Sequence, residues 1–249
     1  MTATDAAAVE FFDARALRLE QVPVPRLSSE ERAAMDRFWD EAVARQPALF
    51  DGPAVACIGV EANDDDAALV LSWAPVTYRY RALRRIEGCS WLPASIFVTV
   101  LQPVEGGGLV VGRSADFTVH PGQWALPGGS AEPPTDGKSL DLAALRRHAA
   151  QELVEEIGVT ADPEDMTVWG VTRGEHGNIG VHFLAPPVPT SLVLKHHEIL
   201  AEEEHARGAG PELDRLAIVG SVQDLTGLGR CADFLPMVVS RYAGERTQA

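Results

Sequence analysis

Cysteine is scarce: three residues in 249, Cys57, Cys89 and Cys231. They lie far apart, are odd in number and show no C-x-x-C spacing, so neither a zinc knuckle nor a disulfide framework is expected, and a reducing compartment fits. Positive charge is scarce too. Twenty-one Lys and Arg face 36 Asp and Glu, a formal net charge of −15, which argues against a broad basic surface for a nucleic-acid polymer or an anionic membrane. No stretch is apolar over the length a bilayer requires, and the opening Met1-Thr-Ala-Thr-Asp-Ala-Ala-Ala lacks a basic region followed by an apolar run. The expectation is a cytoplasmic protein with no membrane partner. Internal repeats are absent from the sequence as well.

What is there belongs to a folded chain. Hydrophobic residues make up 46% and charged residues 23%, the profile of a soluble globular protein able to bury a core. The length exceeds the single-domain mode, which suggests one enlarged α/β domain or a domain with a long N-terminal extension.

Local patterns divide the chain. A strand is expected over Leu17 to Val22, broken by Pro23 and Pro25, and Ser28-x-x-Glu31 is a capping box opening a helix to Arg45. Met35, Phe38, Trp39, Ala42 and Val43 recur at helical spacing on it. Val55 to Glu61 and Ala68 to Ser72 read as a hairpin around the turn Asn63-Asp-Asp-Asp. Ser95 to Leu101 and Gly108 to Arg113 read as a second pair joined by Glu105-Gly-Gly-Gly. A helix from Leu140 to Ile157 precedes strands at Met166 to Thr172 and Val181 to Leu184. The last third offers a strand at Leu216 to Val219, a charged stretch from Glu198 to Arg207 before it, and a final helix from Ala232 to about Tyr242. The class is α/β (α+β) with a mixed sheet. Residues 1–92 form an N-terminal extension, with a helix and a small strand region, packed on a domain of residues 93–249.

The most informative segment is Pro121-Gly-Gln-Trp-Ala-Leu-Pro-Gly-Gly-Ser-Ala-Glu, followed after an insertion by Gln151-Glu-Leu-Val-Glu-Glu-Ile-Gly-Val. At 100° per residue, Glu152, Glu155 and Glu156 share an arc of roughly 100° on one helix, while Ala150, Leu153, Val154 and Ile157 point the other way. The apolar side can bury against a sheet, with Gly158 as C-cap. Two carboxylates about 5 Å apart repel by roughly 3 kcal/mol at an effective dielectric near 20. A hard cation removes that cost, and magnesium, which prefers oxygen ligands and bridges to phosphate, suits the cluster.

This pattern resembles the Nudix hydrolases, whose signature is a glycine loop followed by a helix bearing Arg-Glu-x-x-Glu-Glu-x-Gly. The resemblance implies an α/β/α sandwich with a mixed sheet, the Nudix domain being residues 93–249. It also implies that Glu152, Glu155 and Glu156, with the Gly128 carbonyl, bind Mg2+ (Mn2+ as the alternative) and that a metal-polarised water attacks phosphorus. Two departures stand out. About eight extra residues, around Pro133 to Asp141, separate the turn from the helix, leaving Glu132, Asp136 and Asp141 as candidates for the loop acid. Gln151 stands where the signature has arginine; it can donate to a catalytic carboxylate but carries no charge, with Arg147 one turn back as a substitute.

The insertion, Phe38-Trp-Asp, Gln46-Pro-Ala-Leu-Phe-Asp-Gly-Pro, Thr77-Tyr-Arg and Arg173-Gly-Glu175 look like the branch that hydrolyses UDP-glucose and UDP-galactose. The implied partner is a small nucleoside diphosphate derivative, cleaved to UMP and a sugar 1-phosphate. Glu155 or Glu156 is a candidate to orient or deprotonate the water and Glu175 a loop candidate for general base, Arg173 a phosphate ligand, and Tyr78 and Arg79 contacts to the nucleoside or its phosphates. His196, His197, Glu198 and His205 suggest a second metal site only faintly, since such a run usually lies on a solvated face.

Overall fold

The computed structural model describes residues 8–14, 16–47, 49–63, 68–134 and 138–248. The chain opens with β1 (Glu10–Phe12), β2 (Ala16–Gln21), α1 (Ser29–Arg45), β3 (Pro53–Asn63) and β4 (Ala68–Thr77). A 3-10 helix (Tyr78–Arg85) leads to β5 (Ala94–Leu101), β6 (Leu109–Ser114), β7 (Trp124–Ala125) and α2 (Leu142–Ile157). Then come β8 (Thr167–Arg173), β9 (Ile179–Leu184), α3 (Thr190–Ala206), β10 (Leu213–Val219), the short α4 (Val222–Leu225) and α5 (Leu235–Gln248). The anticipated capping box forms: Ser28 Oγ accepts from the Glu31 amide at 3.1 Å, and the Glu31 carboxylate accepts from the Ser28 amide at 2.8 Å.

Seven strands make one sheet in the order β1-β8-β9-β5-β3-β4-β2, and β10-β6-β7 make a second. The larger sheet is mixed, because β5 runs parallel to β9 and β2 parallel to β4 while its other pairs are antiparallel. Strands from the first 92 residues therefore extend the same sheet as the later ones, through the pairing of Ala56 with Ser95 and Cys57 with Ala94. The loop at 64–67 that joins β3 to β4 lies outside the described residues.

Strand β5 shows how the layers arise. Successive side chains of a strand face opposite ways. Ile96, Val98 and Val100 join the core that holds Leu145, Ala149, Leu153 and Ile157 of α2, whereas Phe97 and Leu101 join the one that holds Leu235, Val238 and Val239 of α5. The sheet is thus sandwiched between helices. A third, smaller cluster ties α1 to the 3-10 helix through Met35, Trp39, Ala82 and Leu83.

Four expectations are corrected. Strands β5 and β6 do not form a ladder but belong to different sheets. A single bridge, Pro103 to Leu109, flanked by the Val104 amide donating to Gly108 O at 3.1 Å and the Val110 amide to Gln102 O at 3.0 Å, follows β5 before the chain turns away; along β5 itself, past its short pairing with β3, the neighbours are β9 and residues 127–131. The charged stretch Glu198 to Arg207 is no connector but mostly the second half of α3. The last helix begins at Leu235 rather than Ala232. Val154 is 41% exposed instead of core, because the buried arc of α2 is centred near Leu153 and Ala149 and Val154 falls beyond its edge.

Candidate active site

Residues 127–131 run antiparallel to β5, held by the Val100 amide donating to Pro127 O at 2.8 Å, the Val98 amide to Gly129 O at 2.9 Å and the Ala131 amide to Ile96 O at 2.9 Å. That ladder fixes the glycine turn against the middle of the sheet. Gly128 is required by space: a Cβ on it would fall 2.1 Å from Val98 O, at a φ of 155° that side chains avoid, whereas a Cβ on Gly129 would fall 2.0 Å from Glu152 Oε1 and displace the end of that side chain. The turn is therefore a seat for a helix carboxylate.

Helix α2 is N-capped by Asp141, whose Oδ1 accepts from the Ala144 amide at 2.7 Å, and ends at Gly158 in the left-handed region at φ 69°. Its buried face grades into the acidic one: Glu156 is 8% exposed, Glu152 half-buried and Glu155 exposed. Glu156 Oε2 accepts from the Gly128 amide at 2.7 Å. Glu155 Oε1 accepts from Gln151 Nε2 at 2.7 Å, so the glutamine that replaces arginine does orient a carboxylate. His148 Nε2 lies 3.1 Å from Ser130 O and 3.2 Å from Glu152 Oε1, one turn away.

Burial and mutual repulsion dominate the electrostatics. Glu152 is pushed up to about 7, first by desolvation and then by the charges of Glu155, Glu212 and Glu132. Burial drives Glu156 well above the usual carboxylate range, against the opposing Gly128 hydrogen bond and with added repulsion from Glu152, Glu212 and Glu155. These are carboxylates short of positive partners. Among the described residues, no group of three or more His, Cys, Asp or Glu side chains is gathered closely enough to cage an ion; each glutamate is held by its own neighbour.

The other candidates stand in varied surroundings. The Arg79 amide donates to Asp51 Oδ1 at 2.7 Å and its NH1 to Asp36 Oδ1 at 3.0 Å, while its Nε lies 3.2 Å from Asp51 Oδ2 without hydrogen-bond alignment. Tyr78 begins the same 3-10 helix, edge-on to Trp39. Arg173 NH1 donates to Glu10 Oε2 at 2.8 Å and lies over the Phe12 ring. Glu175 sits in the β8–β9 turn, where its amide donates to Asp233 Oδ2 at 2.8 Å, and its charge is not among those acting on Glu152 or Glu156. Of the loop acids, Asp141 is the cap just described, Glu132 acts on Glu152, and Asp136 lies outside the described residues. The α3 histidines face backbone carbonyls, His196 that of Gly158, His197 that of Leu213 and His205 that of Ala201.

Two participants escaped the motif. Glu212, on the approach to β10, adds a further carboxylate 60 residues after Glu152. No spacing rule links it to α2. His148 was legible as the i−4 neighbour of Glu152 on the same helix face.

Comparison with known proteins adds one sequence match. Over 66 residues the chain is 39% identical to a nucleoside triphosphatase, NudI, of Enterobacter sp. (strain 638). The chain is similar to Nudix hydrolases. This match takes in 25% of the chain and 44% of that Nudix relative, so the chain spans less than half the relative's length. No family model matches. Among solved structures, a MutT protein from Methanosarcina mazei Go1 overlaps 61% of this chain and 95% of its own at 22% identity and a TM-score of 0.42. The NUDIX domain of Shewanella oneidensis NrtR, solved with ADP ribose, overlaps 66% and 96% at 13% identity and a TM-score of 0.42. Scores of that size carry no argument about function.

Proposed function

We propose that this chain is a divalent-cation-dependent Nudix-type hydrolase that cleaves the diphosphate of a nucleoside diphosphate derivative, with a UDP-sugar as first candidate. The observation that carries the reading is the set of three glutamates on one face of α2, two of them desolvated and mutually repelling, with Glu152 seated on a glycine where a Cβ would collide. Structural carboxylates are usually paired when buried. Here Glu156 is met by the Gly128 amide and Glu155 by the Gln151 side-chain amide, neither of them a cation, and Glu152 has His148 3.2 Å away.

A divalent ion supplies neutralisation of the diphosphate charge and a lowered pKa for water. The chain's own residues do the rest. Gln151 fixes the Glu155 carboxylate, and the Gly128 amide fixes Glu156. Glu212, whose charge acts on Glu152 and Glu156, and Glu175 are the candidate acceptors of the proton released as water attacks phosphorus. One P–O bond forms to the water oxygen and the bridging P–O bond breaks, so a UDP-sugar yields UMP and a sugar 1-phosphate.

A second reading, hydrolysis of a nucleoside triphosphate, is favoured by the name of the 66-residue sequence match. The discriminating experiment incubates the full chain with Mg2+ or Mn2+ and a panel of UDP-glucose, UDP-galactose, ADP-ribose and the nucleoside triphosphates. Release of UMP from the UDP-sugars sustains the reading. Turnover of triphosphates alone replaces the substrate class, and no turnover of anything rejects hydrolysis.

A further inference from the structure

Next to the glycine turn lies a cavity of about 180 Å³, walled by Val55, Val76 and Ile96, by Tyr80 and Arg81 of the 3-10 helix, and by Glu132. Whole ligands of drug size occupy roughly 300 Å³ or more, so this space admits one moiety. It opens beside the acids of α2, since Glu132 on its wall is close enough to act on Glu152.

Its two arginines differ. Arg84 is committed to the fold: it donates to Pro93 O at 3.0 and 2.7 Å, to Asn178 Oδ1 at 3.0 Å and to His176 O at 2.9 Å. Arg81 makes no hydrogen bond or ion pair among the described residues and lays its guanidinium 5.0 Å from the centre of the Tyr78 ring. It is exposed, so its five donors are available at the cavity edge. With Arg230 it also bears on His120, whose pKa is lowered first by burial and then by these two charges. A positive corner thus exists on a chain of net charge −15.

We propose that this cavity seats the planar base of the nucleoside arm and that Arg81, rather than Arg79, is the residue that selects it. The proposal rests on reading the adjacent carboxylates as the diphosphate site. Apolar walls with two tyrosines suit a flat heterocycle, which stacks on aromatic and guanidinium planes. Arg79 is already spent on Asp36 and Asp51.

The test measures binding of UMP, CMP, AMP, GMP and glucose 1-phosphate to the full chain by NMR titration without divalent ion, for the wild type, Arg81→Ala, the cavity-filling Ala54→Leu, and Glu156→Gln. Arg81 has only its contact with the Tyr78 ring to lose, so Arg81→Ala should melt close to the wild type; Ala54→Leu decides should it not. The expected result is one nucleoside monophosphate preferred, weakened about tenfold or more by Arg81→Ala and by Ala54→Leu, and retained by Glu156→Gln. In turnover, Arg81→Ala should raise KM about tenfold with kcat little changed. Equal binding by Arg81→Ala and the wild type overturns the proposal, as does selective loss of glucose 1-phosphate, which would put the other arm in the cavity. Base-selective binding that depends on Arg81 in a chain that hydrolyses nothing sustains the cavity and rejects the hydrolase reading.

Discussion

Two of the places where this molecule buries ionisable groups are solved in opposite ways. In the core between β5, β8 and β9, His182 is fully enclosed, and each ring nitrogen meets a hydroxyl, Nδ1 that of Thr99 at 2.7 Å and Nε2 that of Thr172 at 2.8 Å. Desolvation lowers its pKa to about 3, so the ring is neutral and complete. On α2, by contrast, Glu152 and Glu156 are desolvated next to more carboxylates, and their pKa values move up. A satisfied buried polar group belongs to the scaffold. A cluster of like charges held by a helix, a glycine turn and single hydrogen bonds stores repulsion that a cation would release.

The comparison breaks hardest at Glu156. Glu156→Gln keeps an oxygen to accept from the Gly128 amide but removes the charge, so the fold should persist, by circular dichroism, while turnover falls by at least about a hundredfold. Retained turnover would move the rim of α2 to the scaffold side of the comparison. Melting temperature should not fall in the same variant, because an isosteric amide needs no ionisation.

Glu152 carries the next effect, on stability. Its folded pKa, about 7, exceeds the ordinary 4.5, so the folded state binds the proton more tightly and stability is lost as pH rises from about 4.5 to about 7. The shift corresponds to about 3 kcal/mol at most, less after solvent screening. Metal-free Glu152→Gln should therefore outlast the wild type at pH 8 and match it near pH 4, in urea titrations at each pH. Saturating Mg2+ should narrow the gap, since the ion stabilises only a chain that binds it. A gap independent of pH would show that Glu152 titrates normally.

His182 sharpens the contrast with the opposite sign. Its folded pKa is depressed from 6.5 to about 3, so the unfolded chain takes the proton first and stability falls as pH drops below about 6.5. At pH 5 the loss is about 2 kcal/mol relative to pH 8. The dependence should vanish in His182→Gln, which titrates nothing, and survive in Glu152→Gln.

How much of this was legible in the sequence follows the range of each interaction. The capping box at Ser28 and Glu31, the arc of Glu152, Glu155 and Glu156, and the Gly158 cap are helix-local, and residue spacing alone specifies them. The partner of β5 is not local. A hairpin with β6 was the nearest solution, yet the pairing with β6 stops at one bridge, and β5 is flanked instead by residues 127–131 and by a strand some 80 residues later. Helix α3 hid behind its charge, because only Val193 of it is fully buried and the apolar stripe that marks a helix is thin. At the site, Gln151 and the three glutamates could be named from spacing, while Glu212 and Arg81 could not: one arrives from the approach to β10, the other from the edge of a cavity that exists only once β3, β4 and β5 are paired.

The smallest expected effect concerns Gln151, where the chain departs from the signature. Its amide, an uncharged donor, makes one hydrogen bond to the exposed Glu155 carboxylate at 2.7 Å, worth about 1 kcal/mol. Gln151→Ala should thus reduce turnover by about threefold to tenfold, far less than Glu156→Gln, with KM for the substrate little changed. Gln151→Arg adds charge to the same contact, and charge-assisted bonds are roughly twice as strong, so it should match or exceed the wild type. The pair separates two roles for the position. If Gln151 holds Glu155 in place, alanine loses and arginine rescues; if the glutamine only fills an exposed turn of α2, both variants turn over like the wild type and Glu155 is held by the helix alone.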